Sequence, residues 1–356
     1  MNFNRTGAFN IMEKLKIGMI GAGNIACNAH LPAYDKCTNA KVVAITDLNR
    51  ERAETAAKKY GIPEVYDTVE EMLAKADIDA VDICTWNNGH APAAIAAAKA
   101  GKHIMCEKPL TVSDECAYAV KEAVEQAGIK FFLAVPGRFG NKNEYLQKQV
   151  KSGAFGEVFY AKTSYVRRRG TPTGWFTDKK TAGGGPVIDI GVHGIDAAWY
   201  IMGCPKPTRV SAFISSHIGD YRTKGVGRWQ GTPCPDNQFD TEDLGAGVIH
   251  FENGAMLMFE ASWAINGAGH TDTQVFGSKA GADVNTATIY GERDGYLSDD
   301  KITLDDNDRF LAEITHFADC VLNDKPTRYP IEQAVTMQRM LDAIYTSAEQ
   351  KKEVIL

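Results

Sequence analysis

Two stretches of this chain carry residue types able to move a proton. The first is Cys106-Glu107-Lys108-Pro109, where an amine follows a short apolar run and stands just before a proline. Such a lysine is a general base if desolvation and nearby positive charge lower its pKa; otherwise it is an exposed lysine in a proline turn. The second runs from Gly183 to Asp196, where three glycines and Pro186 precede Asp189, His193 and Asp196, with Tyr200 beyond. Gly185-Pro186 predicts a helix start, because proline in a first turn lacks only an N–H that has no partner there. The spacing places Asp189, His193, Asp196 and Tyr200 on one helical face, with Ile188, Val192, Ile195, Trp199 and Met202 opposite. A merely solvated face more often carries Lys and Glu. Here a carboxylate can orient an imidazole that titrates near neutrality, beside glycines that permit close approach. Asp-His-Asp is also a conceivable metal set, but no cysteine or second histidine converges nearby, so no metal is expected.

Side chains of this kind need a scaffold, and Lys16 to Leu31 supplies its first piece. A short apolar run to Ile20 breaks at Gly21-Ala22-Gly23, and the pattern then turns helical. Gly21, Gly23 and Ala26 spell G-x-G-x-x-A: a sharp turn, a close backbone approach to a pyrophosphate, and tight packing of helix on strand. The helix start at Gly23, Asn24 and Ile25 offers unpaired N–H groups to the phosphates. A second buried run, Lys41 to Thr46, ends in Asp47, twenty-one residues after Ala26, where NAD requires an acceptor for its ribose hydroxyls. Arg50, three residues on, would partly offset repulsion of a 2′-phosphate, so NAD is expected and NADP remains possible.

Beyond Asp47 the pattern alternates. Helices are expected over Asn49 to Tyr60, from Thr68 to Ala76, from Pro92 to Ala100 and from Ser113 to Ala127; strands are expected at 80–85, 103–106 and 130–135. Alternation predicts a doubly wound parallel sheet with its ligand at the C-terminal strand ends, where Gly21-Ala22-Gly23, Thr85 to His90 and Glu107 to Pro109 all fall. From about Gly137 the character changes. After a helix over Asn141 to Lys151 come strand-like runs near 157–167, 207–216, 245–251, 255–263, 273–277 and 286–290, then helical patterns at 309–322 and 331–349. Asn253-Gly254 is a hairpin signal. The expected architecture is therefore a dinucleotide-binding α/β domain over 14–136 and an α+β domain over 137–356 on a large, mostly antiparallel open sheet. Residues 1–13 read as a poorly ordered leader. The long polar loop 217–243 is expected to be functional or to lie at an interface.

Composition narrows the partners. The 356 residues exceed one ordinary core, and 44% hydrophobic with 24% charged residues is a globular balance. A net charge of −6 argues against nucleic acid or an anionic membrane, and no apolar run approaches a bilayer span. Eight scattered cysteines without a C-x-x-C fit a reducing cytoplasm.

Taken together and in this order, Gly21-x-Gly23-x-x-Ala26, Glu107-Lys108-Pro109 and Gly183-Gly184-Gly185 with Asp189, Gly191, His193 and Asp196 resemble the glucose-fructose oxidoreductase/inositol dehydrogenase/rhizopine catabolism (Gfo/Idh/MocA) family, over nearly the whole chain from Lys14. The resemblance implies a Rossmann domain joined to an α/β domain, and a homodimer or homotetramer formed through the open sheet. It also implies NAD(P)-dependent hydride transfer at a ring hydroxyl or aldose carbon of a sugar, glycoside or inositol-like polyol. It gives Lys108 the reacting hydroxyl and its proton, makes His193 the partner acid/base, and lets Asp189 bind substrate or orient the imidazole. Thr85, Asn87 and His90 match a cofactor-side segment T-P-N-x-x-H, and Glu107 joins the cofactor set. Trp86 departs from that segment's proline and either stacks on the cofactor or fills the domain interface. Arg167, Arg168, Arg169 and Trp175 are candidates to border the substrate, with Arg168 and Trp175 singled out; a basic turn or subunit contact is the other reading of the arginines. A redox-silent sensor and an enzyme with only transient redox are the rival functions. The intact Lys108, Asp189 and His193 argue against the sensor.

Overall fold

The structure, a computed structural model, describes residues 14–233 and 239–356; the leader expected at 1–13 lies outside them. The first sheet comprises β1 (Leu15–Ile20), β2 (Ala40–Thr46), β3 (Glu64–Tyr66), β4 (Ala80–Ile83), β5 (His103–Glu107) and β6 (Phe131–Ala134), all parallel, in the order β3-β2-β1-β4-β5-β6. The order reverses between β1 and β4, which opens a crevice at their C-terminal ends. Around it lie α1 (Leu31–Lys36), α2 (Arg50–Tyr60), α3 (Val69–Lys75), α4 (Asn87–Lys99) and α5 (Asp114–Ala127).

Local chemistry explains most helix ends. The side chains of Asn49, Thr68 and Ser113 each accept an N–H of the first turn, and Gly61 and Gly128 close α2 and α5 in the left-handed conformation. One boundary differs from expectation. α4 begins at Asn87, five residues before Pro92, so the proline lies inside the helix. It forgoes one backbone bond there, and burial of Ala91, Ala93, Ala94, Ala97 and Ala98 against the sheet holds the helix despite that loss. Asn87 and His90 are consequently helical residues rather than loop residues.

After α6 (Asn141–Lys151), the second sheet is built from β7 (Val158–Val166), β8 (Pro207–Ser215), β9 (Leu244–Phe251), β10 (Met256–Ser262), β11 (His270–Gly277), β12 (Gly281–Asp283), β13 (Thr288–Arg293), β14 (Tyr296–Lys301) and β15 (Val354–Ile355). Its order is β14-β13-β12-β11-β7-β10-β9-β8-β15, and every pair is antiparallel except β7 with β10. Between β7 and β8 lie the short α7 (Lys179–Ala182), a π-helical turn over Val187–Gly191, and α8 (Val192–Ile201). The chain closes with α9 (Arg309–Leu322) and α10 (Ile331–Gln350).

One sheet face is covered. Leu257, Phe259, Ile249 and Val275 pack under Ile188, Val192, Ile195 and Trp199 of the π-turn and α8, and under Met340, Leu341 and Ile344 of α10. The other face stays open, and on it Phe213 and Met258 are 62% and 44% exposed. α9 crosses back to the first domain. Its Ile314, Phe317 and Ala318 share one core with the first sheet, and Leu133 of β6 donates its N–H to the carbonyl of Tyr329 just beyond α9. Among the described residues no helix is long and apolar enough to cross a membrane.

Candidate active site

The crevice is cut for a phosphate-bearing ligand. Gly21 has φ +100°, and a Cβ there would lie 2.5 Å from the Cys84 carbonyl at the end of β4. A Cβ on Gly23 would meet nothing nearer than 3.9 Å, so the turn leaves room above it. The first intrahelical bond runs from the Cys27 N–H to the Gly23 carbonyl, so the amides from Gly23 to Ala26 face outward from the strand end without an earlier turn to donate to. Asp47 braces this loop. One carboxylate oxygen accepts the Ala22 N–H and the other the Asn49 N–H, both at 2.7 Å. The Arg50 guanidinium is held by Glu54 and Asp67, which draws its charge away from a ribose beside Asp47. These residues fit NAD, which when bound supplies a hydride acceptor; Asp47 and the helix start would hold its ribose and phosphates.

The segment after β4 is engaged mostly with the protein itself. The Asn87 side chain donates to the Ala182 carbonyl at 2.7 Å, and His90 bridges the Pro109 carbonyl at 2.7 Å and the Thr85 carbonyl at 3.3 Å. His90 therefore braces the segments that follow β4 and β5, and Asn87 ties the start of α4 to α7 of the second domain. The Lys108–Pro109 bond in this brace is cis. The Thr85 hydroxyl donates to the Trp86 carbonyl. The indole of Trp86 stacks on that of Trp175 at 6.3 Å, across the boundary between the two domains.

Lys108 projects from the end of β5 to meet the helix of the second domain. Its ammonium donates to the Asp189 carbonyl oxygen at 2.7 Å and lies 3.6 Å from the Asp189 carboxylate, whose other oxygen accepts the Trp263 indole N–H at 3.0 Å. His193, one turn further along, is half-buried. Burial first, then the positive charges of Lys108, Arg309 and Arg167, push its pKa down to about 3, against an upward pull from Glu107. The imidazole is thus neutral across the physiological range, the state in which a ring nitrogen is free to accept a proton, and a weak base beside these cations. A testable consequence is that kcat/KM for alcohol oxidation shows no histidine inflection between pH 6 and 7. A midpoint at the ordinary value near 6.5 would show that His193 titrates freely.

The polar stripe divides along the length of α8. Asp189 and His193 reach the crevice, whereas Asp196 and Tyr200 turn inward to Arg138. The Arg138 guanidinium makes three hydrogen bonds of 2.7 to 3.2 Å with the Asp196 carboxylate and stacks on the Tyr329 and Tyr200 rings. Arg138 and Asp196 are both 1% exposed. Of the three arginines, Arg167 follows Thr163 and Tyr165 on the face of β7 that meets α8, stacks on Tyr165, and acts on His193. Arg168 has the opposite parity and is exposed.

Sequence reading missed Glu242, at the end of the long loop. Its buried carboxylate accepts the N–H groups of Gly185 and Val187 and the Tyr345 hydroxyl, fixing the first turn of the segment that carries Asp189. A Cβ on Gly184 would lie 2.1 Å from the Tyr345 hydroxyl, and one on Gly185 would lie 2.1 Å from the Glu242 carbonyl. The triple glycine is therefore a packing requirement. Gly185→Ala meets backbone rather than a movable side chain and is expected to destabilise the fold by about 1–3 kcal/mol, read as a lowered denaturation midpoint together with lost turnover. Earlier parts of the same loop clasp the strap before α7. Arg228 donates to the Thr171 and Pro172 carbonyls, the Thr173 and Trp175 N–H groups donate to Trp229 and Thr232, and Arg52 of α2 reaches the Thr232 hydroxyl.

A parallel six-stranded sheet with a glycine turn at its switch point, joined to an open sheet whose covering helix brings Asp189 and His193 to Lys108, defines an NAD(P)-dependent oxidoreductase. Residues 15–135 match the family model of the oxidoreductase family with an NAD-binding Rossmann fold, and residues 144–283 match that of the GFO/IDH/MocA C-terminal domain. The chain belongs to the Gfo/Idh/MocA oxidoreductase family. It is 34% identical to a D-glucoside 3-dehydrogenase of Escherichia coli, covering 94% of this chain and 95% of that one. It is 32% identical to a levoglucosan dehydrogenase of Pseudarthrobacter phenanthrenivorans, over 70% of this chain and 68% of the other. Among solved structures it is similar to an aldose-aldose oxidoreductase of Caulobacter crescentus, with a TM-score of 0.80 and 26% identity over 97% of this chain and 100% of that one.

Proposed function

We propose that this protein oxidises a ring hydroxyl of a pyranoside, or of a related aldose or inositol-like polyol, at the expense of NAD. The observation that carries the reading is the meeting of Lys108 from the first domain with Asp189 and the neutral His193 from the second, at the C-terminal edge of the dinucleotide sheet. Lys108 hydrogen-bonds the reacting hydroxyl and stabilises the developing alkoxide. His193 accepts the hydroxyl proton as the carbon-bound hydrogen leaves as hydride. Asp189, held by Trp263, keeps Lys108 in register and binds a neighbouring hydroxyl. Trp175 offers an apolar face to a sugar ring, and Arg167, rather than Arg168, is the basic residue on the site side of β7. The D-glucoside 3-dehydrogenase likeness supports a glycoside as substrate.

The open face bearing Phe213 and Met258 supports assembly into a homodimer or homotetramer through the second sheet, and the seven free cysteines described suit a reducing cytoplasm.

The test is nicotinamide absorbance on mixing the protein with NAD, or separately NADP, and a panel of glucosides, aldoses, uronic acids and inositols. NADH appearing with one member supports the reading. NAD that binds without giving NADH from any member overturns it, and product analysis then separates a sensor from an enzyme whose redox step is transient.

A further inference from the structure

Beneath Lys108 lies a polar cluster that the hydride-transfer scheme does not use. His30, on the helix that begins at Gly23, is fully buried, and both of its ring nitrogens face carboxylates: Nδ1 is 2.8 Å from Asp82 on β4, and Nε2 is 3.0 Å from Glu107 on β5. Asp82 is 0% exposed and Glu107 6%. The second oxygen of Glu107 accepts the backbone N–H of Lys108 at 3.0 Å. A bridge between two carboxylates requires a hydrogen on each ring nitrogen, hence an imidazolium. The remaining neighbours agree with that charge. Burial pulls the His30 pKa down, but Asp82 and Cys84 outweigh it and hold it well above the usual value. Burial pulls the Glu107 pKa up, but His30 and Lys108 hold it below the usual value, and burial pushes the Cys84 thiol and the Glu313 carboxyl of α9 upward. The thiol lies 3.6 Å from Nδ1, which gives the trio of His30, Asp82 and Cys84 soft-metal donor types. The 2.8 Å contact of Nδ1 with Asp82 is instead the distance of a charge-assisted hydrogen bond.

We propose that His30 is a positioning residue for Lys108: by clamping Glu107 to Asp82 it fixes the strand end from which Lys108 reaches the substrate, and it ties that strand end to the helix that seats the cofactor phosphates. The proposal rests on the reading of Lys108 given above. The parallel ladder of β4 with β5 stops at Ile83 and Cys106, one residue short of Glu107, and the clamp continues the tie there and adds the cofactor helix to it. Removing one partner of a buried charge-assisted bridge strands an uncompensated charge, so the bridge tolerates little movement.

His30→Asn is the selective variant, because its amide can still reach Asp82 but not Glu107. With the sugar that gives NADH, kcat is expected to fall at least tenfold, while the dissociation constant for NAD, read by tryptophan fluorescence, changes less than threefold. Placed in a Lys108→Ala background, the same change should lower kcat less than twofold, because the positioned group is already gone. An undiminished tenfold loss in that background assigns His30 a merely structural role and overturns the proposal, as does unchanged kcat in the single variant. Should His30→Asn fail to fold, Glu107→Gln keeps the shape, weakens the clamp and is read in the same cycle. Should no sugar give NADH, the functional reading fails by itself. The clamp is then read from the acetylation rate of Lys108 by mass spectrometry, where a change of at least threefold in His30→Asn, with Lys41 unaffected, supports it and an equal rate overturns it.

Discussion

Lys108→Ala is expected to lower kcat by about 10²–10⁴-fold while NAD affinity stays within about threefold. The asymmetry follows from geometry. The Lys108 ammonium contacts Asp189 of the other domain, and its backbone amide is held by Glu107, so removing the side chain leaves the glycine turn, Asp47 and the strand ends in place. Steady-state kinetics beside a fluorescence titration of NAD tests both halves. Turnover that survives the substitution removes Lys108 from the proton path, and equal loss of NAD binding makes it a cofactor ligand instead. Lys108→Arg should not restore activity, because a planar guanidinium does not place its charge where the ammonium sits.

The second large effect concerns stability. Asp196→Ala strands the Arg138 guanidinium in the interior, at a cost of about 3–5 kcal/mol. Gln333 and the Arg328 carbonyl would still receive two of its donors, but neither carries a neutralising charge. Denaturant unfolding should show the loss, while any folded fraction keeps its kcat with little change. Loss of kcat with unchanged stability would instead put Asp196 in the site beside His193.

That distinction marks where the sequence stopped being legible. The dinucleotide fingerprint, the helices capped by Asn49, Thr68 and Ser113, and the long strands of the second sheet were readable because each is a local pattern of turn residues, caps and periodicity. The strand over Tyr296–Lys301 was not readable. Its two apolar residues, Tyr296 and Leu297, are adjacent and exposed at the sheet edge and the rest are polar, so it lacks the apolar alternation on which the reading depends. Asp196 looked like a site residue because a uniform helix puts it under His193. An arginine 58 residues away decides otherwise by claiming its carboxylate, and that partner leaves no local signature. That Arg167, and not Arg168, shares a strand face with Thr163 could have been counted from parity alone. The signal for His30 lay in Asp82, an acid inside the otherwise apolar strand Ala80–Ile83, since a buried carboxylate demands a partner. Its partner, however, came from another element.

The return of α9 to the first domain bears on how the chain is made. Ile314, Phe317 and Tyr329 complete the hydrophobic core of a sheet whose last strand is finished near residue 134. A ribosome would therefore extrude all six strands of the cofactor domain long before the surface that covers them. Through most of synthesis that domain must wait as an uncovered intermediate, with the face that α9 will occupy open to solvent or to a chaperone. An isolated segment ending near residue 136 inherits the same bare face, and is expected to bind an apolar dye such as ANS and to aggregate unless the stretch from Arg309 to Ile331 is supplied.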